Sequence, residues 1–224
     1  NDYEDAVTTL DQFIALHPGN KDTPYAYYLK AMCFYERIRD VGRDQDFTNN
    51  AVLALNDVVR RYPETEYARD ARLKLDLTFD HLAGKEMYIG RYYLKYGKHI
   101  AAANRFKRVV ADYQTTNHAA EALYRLVETY LRLGVVEESR AAAAVLGANY
   151  PGSYWYEEAY DLMRKNGLLE PGSKPKRSAK EIRKLEEKER KNKDKLLKDA
   201  DRPTIEPPSD DPFDDAIDTP TEEQ

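Results

Sequence analysis

Few residues of this sequence have the type and spacing that covalent or metal chemistry requires. Four histidines, His17, His81, His99 and His118, are spread along the chain. A metal-binding helix face needs ligands three or four positions apart so that the side chains converge, and no two of these are so placed. They read as residues at or near helix ends, with His99 and His118 as cap or surface groups. The single cysteine, Cys33 in KAMCFYERI, excludes an internal disulfide and any thiolate zinc site built from this chain alone. On a helix expected to bury it, Cys33 reads as an inert core thiol rather than a nucleophile. No Gly-rich phosphate loop follows a strand. Neither an enzyme nor a cofactor is expected.

The remaining chemistry is recognition. Tyr25, Tyr27, Tyr28 and Tyr35, or Tyr92, Tyr93 and Tyr96, have the character of a peptide-binding surface. They also suit the uneven space between stacked helices, and about two thirds of the tyrosines are expected there. All 18 tyrosines and Trp155 precede residue 171, whereas seven of the 11 prolines follow residue 170. A segment so poor in large apolar groups cannot offset the entropy of ordering itself. The folding part is therefore expected over 1–169, with a charged tail over 170–224. Residues 174–198 carry net +7, and 199–224 carry net −9. The basic run could meet lipid or nucleic-acid phosphate, but its own acids and the acidic neighbour favour a self-screened, solubilising tail. SAKE at 178–181 and the Glu186/Arg190, Glu187/Lys191 and Glu189/Lys193 pairs fit a solvated helix over about 179–199. Ile182, Leu185, Leu196 and Leu197 would dock it, and the stretch beyond reads as disordered. The net charge of −5 argues against a dedicated nucleic-acid binder. No stretch approaches the roughly 20 apolar residues of a membrane-spanning helix.

The elements that must position these groups are helices. Apolar residues recur at three- and four-residue steps, as in Ala51/Leu55/Val58/Tyr62, Ala102/Phe106/Val109/Tyr113 and Leu123/Leu126/Tyr130/Leu133. Thr23-Pro24 reads as an N-cap followed by proline at the first helical position. Four helix ends repeat one sentence, FIALHPGN, VVRRYPET, VVADYQTT and LGANYPGS, closing repeats near 18, 63, 114 and 151. Residues 120–153 and 83–114 match the 34-residue tetratricopeptide (TPR) pattern in register. Gly90 would let paired helices approach, Gly97 and Gly134 would end first helices in a left-handed cap, and Ala102 and Ser139 would keep second helices near. The expected fold is all-α, a TPR-like α-solenoid of stacked hairpins with a charged, largely disordered C-terminal tail.

The wider spacings of the earlier repeats imply insertions: a loop at 36–50 and a long helix candidate at 64–82. Residues 1–16 read as a second TPR helix, with Ala6, Leu10 and Phe13 on its core face and no first helix to cover them. An N-terminal portion is therefore expected to precede them, the alternative being a partner that covers this face. TPR geometry places Met87, Arg91, Leu94 and Lys95, then Glu121, Tyr124, Glu128, Leu131 and Arg132, on the concave face.

One segment carries a family resemblance. Residues 58–116 hold Tyr62-Pro63 with Thr65 and Tyr67, a run from Asp80 through Leu82, Ala83, Glu86 and Gly90 to Tyr92-Tyr93, and Gly97 followed by Asn104-Arg105. This resembles the BamD family, TPR lipoproteins of the outer-membrane β-barrel assembly machinery, over roughly 1–165. The irregular repeat spacings match as well. The resemblance implies a non-enzymatic scaffold on the periplasmic face of the outer membrane, held by a lipid anchor that lies outside this sequence. It implies docking to a POTRA domain of a BamA-like barrel protein, with accessory lipoproteins and unfolded outer-membrane proteins as further partners and no role in binding nucleic acid. Arg105 matches the arginine of the family's Asn-Arg pair on that docking surface, beside Asn104, with Lys107 and Arg108 adding basic character. Alternatively Arg105 lies along its helix and pairs with Glu86 or Asp112. The competing function is a periplasmic TPR adaptor of cell-division or cell-envelope machinery.

Overall fold

Helix ends set the architecture, because each must find partners for the N–H and C=O groups its own turns leave unpaired. In the computed structural model, which describes residues 2–40, 45–169, 184 and 187–195, one device recurs at every repeat end. Tyr62, Tyr113 and Tyr150 each close a helix with φ near −130°. The carbonyl of each then accepts the N–H of Thr65, Thr116 or Ser153 at 3.0–3.1 Å, and His17 does the same for Asn20 at 3.2 Å. The repeated sentence is thus a repeated turn. Thr65 and Ser153 go on to cap the next helix, accepting from the N–H groups of Ala68 and Tyr156.

Eight helices follow in order: α1 (Asp2–Leu16), α2 (Thr23–Tyr35), α3 (Asp46–Arg61), α4 (Glu66–Lys95), α5 (His99–Asp112), α6 (His118–Leu133), α7 (Val136–Asn149) and α8 (Tyr154–Lys165). Among the described residues there is no strand, and 187–195 are helical as well. Neighbours in sequence pack as antiparallel hairpins. Contacts between alternate helices run α2–α4–α6–α8, whereas α1, α3, α5 and α7 touch only their neighbours in the chain. The even helices therefore form an inner layer and the odd ones an outer layer, which is the TPR solenoid. Gly97 and Gly134 take φ of +71° and +75°, as their cap role requires. Gly90 carries the closest approach: a Cβ there would lie 2.5 Å from the ring of the fully buried Phe106.

Several expectations need correction. The 64–82 and 83–95 stretches are one helix of 30 residues, about 45 Å long, so His81 lies mid-helix. The loop after α2 is shorter than 36–50, because Asp46 already begins α3. Thr23 is the first helical residue rather than the cap. Asp22 precedes it, and the Thr23 hydroxyl donates instead to the His17 carbonyl at 2.7 Å. Cys33 is half-buried rather than core, and burial still raises its pKa and keeps the thiol protonated. Leu133, at the end of its stripe, is exposed. Ala6, Leu10 and Phe13 are half-buried against α2. Fourteen of the tyrosines are half-buried, and Tyr3, Tyr88, Tyr92 and Tyr96 are exposed. Of the proposed tail helix only 184 and 187–195 are described. Ile182, Leu185, Leu196, Leu197 and the acidic stretch 199–224 lie outside the described residues.

Candidate functional site

α5 presents the basic group of the outer layer. Its buried face, Ala102, Ala103, Phe106 and Val109, sits on α4 and α6, which turns Asn104, Lys107 and Arg108 to solvent. Arg105 lies at the edge. Its Nη1 donates to Glu86 Oε2 at 3.0 Å, and Arg108 Nη1 reaches the other oxygen at 3.1 Å. Glu86 is only 10% exposed, whereas Arg105 keeps 36% of its side chain open. Pairing along the fold therefore occurs, and it leaves Arg105 at the surface. Among the described residues one of its five N–H donors is engaged. Arg108 also faces Asp112 at 3.6 Å, and the Lys107 ammonium lies 5.7 Å from the Tyr130 ring. Of the two carboxylates expected as partners of Arg105, Glu86 is the one engaged, and it takes Arg108 as well.

The inner layer holds an alternating ladder of charge. Arg91 donates through Nε and Nη2 to both oxygens of Glu121, at 3.0 and 2.8 Å. Arg125 bridges Glu121 and Glu128 at 3.4 and 2.8 Å, and Arg132 closes on Glu128 at 2.7 Å. Burial disfavours the Arg125 charge, but Glu128 and Glu121 outweigh that and hold its pKa above the ordinary value. Its guanidinium lies 5.2 Å from Tyr124 and 5.7 Å from Trp155, whose rings are 5.3 Å apart. The structure brings Arg91, Tyr124, Glu128 and Arg132 together, with Lys95 exposed beside Tyr96. Met87 and Leu94, expected in the groove, are core residues, because α4 packs on both α5 and α6. Arg125 is not among the expected groove residues, although its spacing from Glu121 and Glu128 on one helix signals it.

A cleft of about 610 Å³ opens where α2 ends against α4 and α6, lined by Tyr35, Glu36, Asp80, His81, Tyr88 and His118 among others. Burial lowers the pKa of both histidines, against the opposing pull of nearby Asp80. His81 Nδ1 lies 3.2 Å from Gln45 Oε1, and His118 Nε2 lies 3.8 Å from Asp80. Sequence spacing could not pair them, because they stand on different helices. Among the described residues no group of three or more His, Cys, Asp or Glu could hold a metal.

Residues 1–146 match the model of the YfiO family, described as outer membrane lipoprotein. The chain belongs to the YfiO (BamD) family. Relatives named outer membrane protein assembly factor BamD include one from Caulobacter vibrioides, 56% identical over 168 residues, with 75% of this chain and 55% of the relative covered. The Rickettsia prowazekii relative is 53% identical, covering 72% and 64%. One from Neisseria meningitidis is 31% identical, covering 69% and 62%. The chain thus spans between half and two thirds of the length of these curated relatives. The YfiO match takes in α1 to α6 and most of α7, and so includes the α5 surface, the ladder and the cleft. Helix α8 and residues 187–195 lie beyond it.

Proposed function

We propose that this chain is part of a non-enzymatic scaffold for outer-membrane β-barrel protein assembly, working at the periplasmic face of the outer membrane. In this reading 1–169 form the partner-binding TPR domain and 170–224 a separate tail. Asn104, Arg105, Lys107 and Arg108 dock an acidic site on the POTRA region of a BamA-like barrel protein. The inner groove, with Arg91, Lys95, Tyr124, Glu128 and Arg132, helps receive unfolded outer-membrane proteins, and accessory lipoproteins complete the assembly.

The observation that carries this reading is the sharing of Glu86. One carboxylate serves two guanidiniums, so the α5 surface holds more cation than its own acids neutralise. An acidic residue arriving on Arg105 would find open donors and little competing charge, which favours both encounter and register. Replacing Arg105 by glutamate places a second carboxylate beside Glu86 and reverses that complementarity.

The test is recovery of BamA from solubilised outer membranes with the Arg105→Glu protein. Recovery is expected to fall about ten-fold or more, with helical circular dichroism unchanged. Arg140→Glu, the same charge change on exposed α7, is expected to leave recovery intact. Undiminished recovery with Arg105→Glu would remove Arg105 from the interface.

A further inference from the structure

The cleft between α2, α4 and α6 already has an occupant on its rim. Lys193 Nζ, 113 residues downstream, donates to Asp80 Oδ1 at 2.9 Å. Lys193 is half-buried there, whereas Lys191, Asn192, Asp194 and Lys195 around it are exposed. We propose that this cleft is a docking site for the chain's own basic arm, residues 187–195, with the Lys193–Asp80 ion pair as its clasp.

Three features support this assignment. Asp80 is fixed in place before the arm arrives, because its Oδ1 also accepts the backbone N–H of Asn117 at 3.2 Å, at the start of α6. Of the other cations lining the cleft, Arg39 is exposed, and Arg91 and His118 are otherwise engaged. Arg91 holds Glu121 with two hydrogen bonds, and burial disfavours a charge on His118, as does Lys193 itself. Charge is complementary at longer range too. The arm lies within the +7 run of 174–198, and the cleft sets Glu36, Asp40 and Asp80 against Arg39 and the Glu121-bound Arg91. A Lys191–Glu187 pair at 2.7 Å, one turn apart, supports the helix that presents Lys193.

A single half-exposed ion pair is weak. Tethering makes it count, since a segment joined to its own site acts at an effective concentration of order millimolar. The clasp is therefore a labile contact, formed in part of the population, that the arm's further positive charge supports and that salt or a competing basic segment displaces. The arm thus meets the cleft at its Asp80 rim, and Tyr88 on the cleft wall stays exposed.

The test places a nitroxide on the exposed arm (Asn192→Cys with Cys33→Ser) in the full chain and reads broadening of amide signals near Asp80 and His118. Strong broadening at low salt is expected. Lys193→Glu is expected to reduce it about five-fold, the factor for losing one exposed ion pair. About 0.5 M salt, where the Debye length is roughly 4 Å, should do the same. Lys188→Glu makes the same charge change on an arm residue exposed to solvent and should have little effect. The clasp is overturned if the unmodified arm gives no broadening, if Lys193→Glu leaves it unchanged, or if Lys188→Glu reduces it equally.

Discussion

Around α5 and α6 sixteen buried apolar residues form one cluster reaching from Ala83 to Met163, with Phe106 its largest fully buried side chain. Around α2 and α3 the corresponding cluster has seven, from Ala31 to Leu75, and half-buried tyrosines surround it. What the second region lacks in apolar volume it replaces with polar contacts. Asp70 and Lys74, both buried on α4, lie 3.8 Å apart. The Tyr28 hydroxyl donates to Asp70 at 2.5 Å, and Lys74 sits 4.7 Å from the Tyr35 ring. Burial and Asp70 together push the Tyr28 pKa far up, so that hydroxyl stays a donor. Helix α4 belongs to both regions. The comparison teaches that one solenoid is held by close packing at one end and by directional contacts at the other. Buried charge contributes little net stability against an apolar alternative of the same shape, so the α2–α3 end is expected to open first.

The sharpest attempt to break this contrast is truncation at the larger core. Phe106→Ala removes the ring that Gly90 was shaped to admit, and should cost about 3–5 kcal/mol in urea denaturation. Leu55→Ala, in the smaller cluster, is expected to cost less, because softer surroundings collapse into the space. Equal or reversed costs would remove the distinction.

Next in size is Asp70→Ala, which leaves Lys74 buried beside Tyr35 without that carboxylate. The loss should be about 3 kcal/mol, at the low end for a broken buried pair because the ring contact remains. The combined variant Asp70→Leu, Lys74→Met and Tyr28→Phe removes the carboxylate, the ammonium and the hydroxyl together and should recover most of that loss. If it does not, polar contacts hold this region more tightly than the comparison allows.

The same contrast governs how much the sequence discloses. Around α6 and α7 the TPR spacing, Gly134 and the tyrosine turns all act within a few residues, so local pattern suffices. Expected effects there are modest: Gly134→Ala forces a side chain into a left-handed turn and should cost about 1 kcal/mol. Toward α2 the decisive features lie across helices. Nothing local shows that 64–82 runs on through Gly84 into 83–95, and that continuity puts His81 mid-helix and Met87 and Leu94 in the core. Arg91 and Glu121 are thirty residues apart, and Glu86 gains its partners only when α5 folds back on α4. Arg105 could be chosen by family motif and Glu86 named among its partners, but the sharing of Glu86 with Arg108 could not be read that way.

The smallest expected effect is on pH, at the seam between the two regions. His81 faces Gln45, Asp40 and Asp80; His118 faces Asp80, Arg91, Glu121 and Lys193. Burial lowers both pKa values below the ordinary 6.5, so in acid the unfolded chain takes up protons that the folded chain does not. The resulting stability is fully present above about pH 6.5 and is lost as pH falls through the folded-state values. Hydrogen exchange measured at pH 7.5 and again near pH 5.5 should therefore show selective loss of protection in the middle of α4 and the first turn of α6. Residues of α7 and α8 should change little. His118→Gln, which cannot titrate, should flatten the response of the first turn of α6. An even loss across all helices would mean that protons act on the whole solenoid rather than at the seam.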